Sequence, residues 1–290
     1  MTMKYADSEL IINADGSAFH LHLKPENMAD KVILVGDRGR VDMVSSMFDS
    51  VECVNENREF RSATGLYKGK RVMVLSTGIG TGNIDIVMNE LDALANIDFS
   101  LRDDNPVHRS LDIVRIGTCG GLQPFVPEGT FIASKRSIGF DGVLHFYAGS
   151  ERVRDLDFEK AFTEFTAFAP EHGVPYCALS SAALLERIAK DDMVMGNTIA
   201  SSGFYGPQGR RLRIPLADEN LISKIEQFSF GGEMITNFEM ESSALAGLAG
   251  LLGHNALTVC LVIANRVGRR FIGDYKPKMA ELVRTVLDRI

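Results

Sequence analysis

Short apolar runs rich in β-branched residues recur along the chain and stop at glycine or polar residues. This pattern predicts buried β-strands. The predicted strands cover residues 31–35, 71–75, 111–116, 129–137, 175–179, 194–202 and 257–263.

Among these strands lie segments in which apolar residues recur every three or four positions, as they do along one face of an α-helix. The predicted helices cover residues 40–48, 84–94, 156–168, 184–190, 239–252 and 278–290. Apolar strands that alternate with helices indicate an α/β fold with a largely parallel sheet covered on both faces. No linker interrupts the pattern, so residues 1–290 are predicted to form a single domain. In such sheets, ligands bind beyond the carboxyl ends of the strands.

Composition narrows the class of protein. Of the 290 residues, 45% are hydrophobic and 24% are charged, a globular mixture that excludes a disordered chain or a coiled coil. The net charge of −7 disfavours nucleic-acid binding, although a few arginines in one pocket can still attract a small anion. The most apolar stretch, residues 244–264, is interrupted by Gly253, His254 and Asn255, so we expect no membrane span.

The cellular compartment follows from two further features. The four cysteines lie far apart and form no Cys-x-x-Cys motif. Residues 1–7 contain no apolar stretch of the kind found in secretory signals. Together these features predict a cytoplasmic protein with reduced thiols.

Familiar cofactor and nucleophile motifs are absent from the sequence. There is no P-loop, no Gly-x-Ser-x-Gly turn and no His-Glu-x-x-His helix. Residues 78–83 place Asn83 where a dinucleotide-binding turn has its third glycine, which argues against a nicotinamide-dependent oxidoreductase. His20 and His22 are too few ligands for a zinc site. We therefore expect no metal site.

Glycine and arginine are concentrated in turns at the ends of predicted strands, and Arg58 lies in a turn between two of them. The residues concerned are Gly36, Arg40, Arg58, Arg115 and Thr118. Glycine lets backbone N–H groups approach an anion, and guanidinium groups match phosphate oxygens. A phosphate site is one interpretation; the alternative is that the glycines form turns and the arginines pair with surface carboxylates. Arg115 favours the phosphate site, because a charge at the end of an apolar strand is costly without a partner.

A second group of side chains suits a planar heterocycle. Gln208 offers a donor and an acceptor, Arg210 offers a guanidinium, and Phe204 offers an aromatic face. The alternative is an ordinary exposed loop.

Two acids, Glu239 and Glu241, flank Met240 at the start of a predicted apolar helix. A carboxylate is a good bidentate acceptor for a vicinal diol such as the two ribose hydroxyls. Carboxylates at this position also often cap helices, and the sequence leaves both interpretations open.

Taken together and in order, these motifs resemble those of the nucleoside phosphorylase-I family over nearly the whole chain. They are Gly36-Asp37…Arg40, Arg58-Glu59-Phe60, Ser76-Thr77-Gly78-Ile79-Gly80, Arg115-Ile116-Gly117-Thr118, Phe204…Gln208…Arg210, Asn237…Glu239-Met240-Glu241 and Ile263-Ala264-Asn265-Arg266. The base-loop spacing and Asn265-Arg266 are similar to those of members that cleave uridine. Purine-cleaving members commonly carry an acid near the position of Arg266, and this chain lacks it.

The resemblance implies one α/β domain around a mixed, partly closed sheet. It also implies reversible phosphorolysis of uridine to uracil and ribose 1-phosphate in pyrimidine salvage, with Arg115, Gln208, Arg210 and Glu241 acting in the reaction. Inorganic phosphate would be the co-substrate, with no metal or organic cofactor. The minimal assembly would be a homodimer, and a hexamer of three dimers is compatible with it.

The resemblance also assigns binding roles to individual residues. Phosphate would be held by Gly36, Arg40, Arg115, Thr118 and, from the neighbouring subunit, Arg58. Ribose would be held by Glu239, Met240, Glu241 and, across the dimer interface, His20. The base would be held by Phe204, Gln208 and Arg210, lined by Ile263 and Ala264, and braced through water by Arg266.

The chain departs from the family pattern in three places. Arg38 replaces the usual proline, residues 96–110 form a longer surface loop than in compact members, and the base loop has Gly206-Pro207 in reversed order. Glu59 and Ser76 are candidates for holding a monovalent cation at the subunit interface.

Other functions stay open from the sequence. They are a purine nucleoside phosphorylase or a nucleosidase of the same fold, and a nucleoside-sensing protein without catalysis. A nucleosidase would not need the arginine cluster, and a sensor would release no free base.

Overall fold

The structure is a computed structural model that describes residues 4–290, so residues 1–3 of the N-terminal stretch considered above lie outside the described residues. The strands are β1 (Lys31–Val35), β2 (Ser50–Asn57), β3 (Phe60–Tyr67), β4 (Lys70–Ser76), β5 (Ile97–Asp98), β6 (Asp103–Asp104), β7 (Asp112–Gly121), β8 (Phe131–Gly139), β9 (Tyr176–Leu179), β10 (Val194–Ala200), β11 (Ser229–Phe230), β12 (Glu233–Glu239), β13 (Asn255–Asn265) and β14 (Arg270–Phe271). The helices are α1 (Arg38–Ser45), α2 (Thr81–Asn96), α3 (Leu156–Thr166), α4 (Ala182–Ile188), α5 (Leu221–Gln227), α6 (Ser242–Leu252) and α7 (Lys276–Arg289).

One large sheet contains every described strand except the small hairpin of β5 and β6. Most of its central pairings are parallel, namely β1 with β4 and β7, β7 with β13, and β10 with β8 and β12, whereas β8 pairs with β13 in antiparallel fashion. This part agrees with the predicted alternation of strands and helices. Strands β2, β3 and β4 extend one edge in antiparallel fashion, so the sheet as a whole is mixed, as the family resemblance implies.

The sheet closes on itself at one end. Strand β12 pairs with β7 through Asn237 opposite Gly121 and Phe238 opposite Gly120, which joins β7, β13, β8, β10 and β12 into a five-stranded ring. This closure confirms the predicted partly closed sheet. It also fixes the end of β12 beside the end of β7, which matters for the site below.

Helices cover both faces of the sheet, and their apolar faces form the core. Helix α7 buries Met279, Leu282, Val283, Val286 and Leu287, the residues that its helical spacing predicts. Helix α6 is buried along most of its length, from Ser242 to Ala249. Phenylalanines of α3 pack with Phe228 in a separate aromatic cluster.

Two predicted boundaries are wrong near the site. Strand β7 does not stop at residue 116 but continues through Gly117 to Gly121, because this stretch pairs with β13 and β12. A Cβ on Gly117 would lie 2.5 Å from Arg115 Nη1, so glycine is required there by close packing and not by a turn. Glu239 is the last residue of β12 and not the first of a helix, since α6 begins at Ser242.

Residues 96–110 form the predicted surface loop and carry the hairpin of β5 and β6. Within it, Arg102 holds the N-terminal segment, because its Nη1 donates to the Leu10 carbonyl at 2.7 Å and its own carbonyl accepts the Lys4 and Tyr5 N–H groups at 3.2 Å. None of the helices within residues 4–290 is long and apolar enough to cross a membrane.

The closed ring leaves no space at Gly196 of β10. A Cβ there would lie 2.2 Å from Thr236 Oγ1 and 2.8 Å from Ile132 Cγ2. We predict that Gly196→Ala lowers the free energy of unfolding by about 1–3 kcal/mol, the usual cost of overpacking. Urea unfolding measures this change.

Gly273→Ala is the matched control, because a Cβ at that exposed position would meet no atom within 4 Å. Equal unfolding midpoints for the two variants would contradict close packing in the ring.

Candidate active site

A cavity of about 910 Å³ lies where β1, β4 and β12 end and where β7 and β13 run past them. It brings together most of the predicted site residues: Gly36, Arg40, Arg115, Thr118, Phe204, Gln208, Arg210, Glu239, Met240, Glu241, Ile263 and Ala264. His20, Arg58 and Arg266 are not part of its lining. The convergence of segments so distant in sequence is what the phosphate and heterocycle interpretations require.

Arg115 lies between two carboxylates. Its Nη1 is 3.1 Å from Glu239 Oε2, and its Nη2 hydrogen-bonds to Glu241 Oε2. All three side chains are almost completely buried. Burial opposes the charge of Arg115, but Glu241 and Glu239 outweigh this effect and raise its pKa. The guanidinium is therefore permanently charged and already neutralised before any anion binds.

The two acids have different tasks. Glu239 accepts the backbone N–H groups of Glu241 and Ser242 at 2.9 Å and the Ser242 hydroxyl at 2.6 Å, so it caps α6. Glu241 accepts the Gly80 N–H at 2.6 Å from the start of α2. Each Glu241 oxygen thus has one partner and keeps a second lone pair for a ligand. The structure shows helix capping for Glu239, and the diol role of Glu241 stays a prediction.

Arg40 differs from Arg115 because it has no acidic partner. Its side chain is 8% exposed, and Nη1 donates only to the Ile116 carbonyl, at 3.1 Å. Within residues 4–290, no carboxylate oxygen lies within 4.0 Å of its guanidinium. Burial and the nearby charge of Arg115 both lower the pKa of Arg40. A buried cation without a carboxylate partner favours the binding of an anion.

Neutral groups line the same cavity as Arg40. Gly36 follows β1 directly, and Thr118 extends from β7 into the same cavity. Helix α1 begins two residues after Gly36, and Asp37 caps it by accepting the Gly39 N–H at 2.9 Å. Backbone and hydroxyl donors therefore lie next to Arg40, as expected of a phosphate site.

The base loop brings Gln208, Arg210 and Phe204 together. Gln208 is 3% exposed, and its Oε1 accepts a hydrogen bond from Arg210 Nη1. The Arg210 guanidinium lies 3.9 Å from the centre of the Phe204 ring and covers one of its faces. Burial and the charge of Arg266 lower the pKa of Arg210, which lacks a carboxylate within 4.0 Å in the described chain.

Arg266 acts on this loop from outside the cavity. Its Nη1 donates to the Gln208 carbonyl, and its Nη2 donates to the Gly209 carbonyl at 3.2 Å. It holds the loop directly, whereas the family resemblance implied a contact through water.

His20 and Arg58 lie together on the surface outside the cavity. Asn57 donates to the His20 carbonyl at 2.8 Å, and the Arg58 guanidinium lies 5.6 Å from the centre of the Phe19 ring. Phe19 in turn contacts His20 edge-on, with ring centres 4.8 Å apart. The two residues assigned to the neighbouring subunit's site therefore share one surface.

One departure from the family pattern, Arg38, and the two candidate cation-binding residues lie at or near the cavity. Arg38 lines the cavity, pairs with Glu56 and donates to the Arg58 carbonyl at 2.9 Å. Glu59 also lines it. Ser76 donates to the Glu59 carbonyl at 2.7 Å and accepts the Arg61 N–H at 2.8 Å, so its hydroxyl is engaged within its own chain. A cation role for Glu59 and Ser76 stays a prediction.

Several lining residues were not predicted as site residues, among them Asp37, Asn83, Cys119, Phe238 and Phe271. Asp37 and Asn83 lie in turns that the sequence analysis quoted without giving them a role, and only the fold brings the other three to the cavity. The Gly80 N–H was also missed as a functional group, although the glycines of the Thr-Gly-Ile-Gly motif pointed to a special backbone segment there.

Within the described chain, one trio of potential metal ligands stands out, formed by Asp92, His108 and His254. His254 Nδ1 accepts the Leu111 N–H at 3.2 Å, so the ring proton lies on Nε2, 3.2 Å from Asp92 Oδ1. A protonated nitrogen is not a metal ligand, and Asp92 and His254 are better described as a partly buried polar contact beside the exposed His108.

Comparisons with known proteins agree with this geometry. A sequence profile of the phosphorylase superfamily matches residues 30–290. The chain is 32% identical over 288 residues to a uridine phosphorylase from Thermococcus kodakarensis, covering 98% of this chain and 90% of that protein. It is 26% identical over 245 residues to a DeoD-type purine nucleoside phosphorylase from Bacillus subtilis, covering 84% and 85%.

A solved structure shows the same fold. A Trypanosoma brucei nucleoside phosphorylase that shows uridine phosphorylase activity superimposes with a TM-score of 0.87 at 31% identity, covering 97% of this chain and 99% of that one. The profile match spans most of the chain, and the closed mixed sheet and the motifs agree with it. The chain therefore belongs to the phosphorylase superfamily.

Proposed function

We propose that the protein is a uridine phosphorylase, which converts uridine and phosphate reversibly into uracil and ribose 1-phosphate. The observation that carries this proposal is a contrast among three arginines of one cavity. Arg115 is neutralised by two carboxylates, whereas Arg40 and Arg210 are partly buried cations with no carboxylate within 4.0 Å in the described chain. The two unpaired cations lie on different segments of the lining, so the cavity suits a substrate pair that carries negative charge at two places.

Phosphate is the first of these partners. Arg40, together with Gly36 and Thr118, would fix it below the sugar as nucleophile and as counter-charge for the positive charge that grows at C1′. Positioning a nucleophile can lower a barrier by up to about 7–11 kcal/mol. Arg115 would contribute from its place between the acids, and Arg58 would come from the neighbouring subunit.

Ribose lies between the two charged subsites in this proposal. The remaining lone pairs of Glu241 would accept hydrogen bonds from the 2′- and 3′-hydroxyls, with Met240 against the ring. Because Gly80 and Arg115 hold the Glu241 carboxylate from both sides, it is already oriented before ribose binds.

The leaving group is the second negative partner. Negative charge develops on uracil as the glycosidic bond breaks, and Arg210 and Gln208 would stabilise it. One preorganised donor of this kind is typically worth about 2.7–4 kcal/mol. Since Arg210 already occupies the Gln208 carbonyl oxygen, the Gln208 amide N–H₂ remains free to donate to a uracil carbonyl. No general acid is required, and within residues 4–290 neither side chain hydrogen-bonds to a carboxylate.

Cleavage of purine nucleosides is the alternative within the same class of enzyme. It is considered because the chain is also similar to a purine nucleoside phosphorylase from Bacillus subtilis. It would need an acid beside the purine ring. Arg266 stands where that acid is expected and binds the base loop, which favours the pyrimidine.

We also propose a homodimer in which each subunit lends His20 and Arg58 to the other. The support is that both residues lie outside the cavity of their own chain and share one surface. A cytoplasmic enzyme that needs no cofactor besides phosphate remains our expectation.

The decisive test of function is a uridine cleavage assay with and without phosphate. We expect uracil release, followed by ultraviolet absorbance, only when phosphate is present, and slower turnover of inosine. Release without phosphate would indicate a nucleosidase, and no release from any nucleoside would indicate a sensing protein.

For Arg210→Ala we predict a loss of about 10²-fold or more in kcat/KM for uridine, because the charge on departing uracil loses its donor. Steady-state kinetics checks this. Arg211→Ala is the neighbouring control, since Arg211 pairs only with Glu219 on the surface. A change below threefold in Arg210→Ala would remove Arg210 from the proposed reaction.

Arg40→Met should raise the KM for phosphate by at least tenfold without lowering the melting temperature. The reason is that Arg40 is a desolvated cation whose lowered pKa shows that the fold disfavours its charge. Titration with phosphate measures the KM, and thermal unfolding measures the melting temperature. An unchanged phosphate KM would contradict the phosphate role, and a much lower melting temperature would contradict the electrostatic argument.

A further inference from the structure

The surface residue His20 is held by one carboxylate of helix α2. Glu90 Oε1 lies 2.6 Å from His20 Nδ1. The same carboxylate accepts the His20 backbone N–H at 3.0 and 3.1 Å and the Leu21 N–H at 2.9 Å. Both oxygens of Glu90 are thus committed to N–H groups of two consecutive residues.

These contacts determine the proton position on the imidazole. Backbone N–H groups can only donate, and Glu90 accepts them through both oxygens, the pattern that an ionised carboxylate makes. His20 Nδ1 therefore carries a proton and donates it to Glu90. In the neutral ring, Nε2 is then left with a lone pair and can only accept a hydrogen bond.

The ring is also fixed in place from its other sides. Phe19 contacts it edge-on, and Asn57 anchors the His20 carbonyl at 2.8 Å. The His20 side chain keeps 26% of its surface exposed, whereas that of Glu90 keeps 18%. The arrangement holds an imidazole at the surface with one nitrogen engaged inside the chain.

We infer that Glu90 is a positioning residue that fixes His20 with Nε2 as an acceptor for the 5′-hydroxyl of a nucleoside bound in the neighbouring subunit. This inference rests on the proposed function and on the role proposed for His20 in the dimer. It assigns the donor and the acceptor of this hydrogen bond: the substrate hydroxyl donates, and the imidazole accepts. It therefore makes the 5′ O–H hydrogen a determinant of substrate selection.

Glu90→Gln tests the inference with little change in size. Oε2 of Glu90 accepts both backbone N–H groups, so the glutamine oxygen can take its place, and the amide N–H₂ then faces His20 Nδ1. Nδ1 must then accept, which moves the ring proton to Nε2 and removes the acceptor. Glu164→Gln is the matched control, since it makes the same chemical change at an exposed position of helix α3.

The assay compares uridine with 5′-deoxyuridine, which lacks the hydroxyl. We expect Glu90→Gln to lower kcat/KM for uridine by about three- to tenfold, the value of one hydrogen bond, and to leave 5′-deoxyuridine unchanged within twofold. Glu164→Gln should change neither substrate. Equal losses on both substrates would mean a merely structural role for Glu90, and no loss on uridine would also overturn the inference.

A second measurement does not depend on catalysis. Nitrogen-15 NMR of the histidine side chains reports which nitrogen of His20 is protonated, with His20→Gln to assign the signal. We expect protonated Nδ1 in the parent and an altered proton distribution in Glu90→Gln. Protonated Nε2 in the parent would overturn the inference. Failure of the parent to cleave uridine would instead refute the proposed function, and the NMR result would still decide the orientation of His20.

Discussion

The buried ion cluster of Arg115, Glu239 and Glu241 is the constraint that organises this structure. Removing such charges from water costs several kcal/mol for each ion, and only close pairing and additional hydrogen bonds offset that cost. Arg115 belongs to β7, Glu239 ends β12, and Glu241 precedes α6. The cluster therefore requires these elements to meet, and the pairing of β12 with β7 that closes the ring makes them meet.

This constraint changes the role that the sequence suggests for Arg115. An arginine at the end of an apolar strand was expected to serve phosphate directly, yet its guanidinium is already shared by two carboxylates. Arg40 and Arg210 have no such compensation. Burial and a neighbouring arginine lower the pKa of each, which means that each charge is held where the surroundings disfavour it. The two buried charges lower the free energy of unfolding, and the negative charge of a bound substrate would offset this loss.

Sequence patterns predicted the central strands and the long helices well, because β1, β4 and α7 have simple apolar periodicity. The hairpin of β2 and β3 was missed, since most β2 side chains are at least partly exposed and the strand lacks an apolar run. The end of β7 was predicted too early because its glycines were taken to form a turn, whereas they permit close packing inside the ring. Pairing across a closed sheet depends on distant residues, which no local pattern encodes.

The candidate site was more predictable than the ring, because its chemistry resides in recognisable side chains. Gln208, Arg210 and Glu241 were all identified from donor and acceptor types and from the family resemblance. Residues such as Phe238 and Phe271 carry no such signal and reach the cavity only through the fold. The direct hold of Arg266 on the base loop also needed coordinates, since its partners are backbone carbonyls.

Helix α2 supports two residues of interest, one at its start and one just past its middle. The N–H of Gly80, just before its first turn, binds Glu241, and Glu90 further along binds His20. Ten residues of α-helix span about 15 Å, and each added residue rotates the next by about 100°. A single insertion or deletion between these positions would swing Glu90 to another side of the helix axis. This segment should therefore tolerate substitutions on its surface but no change in length.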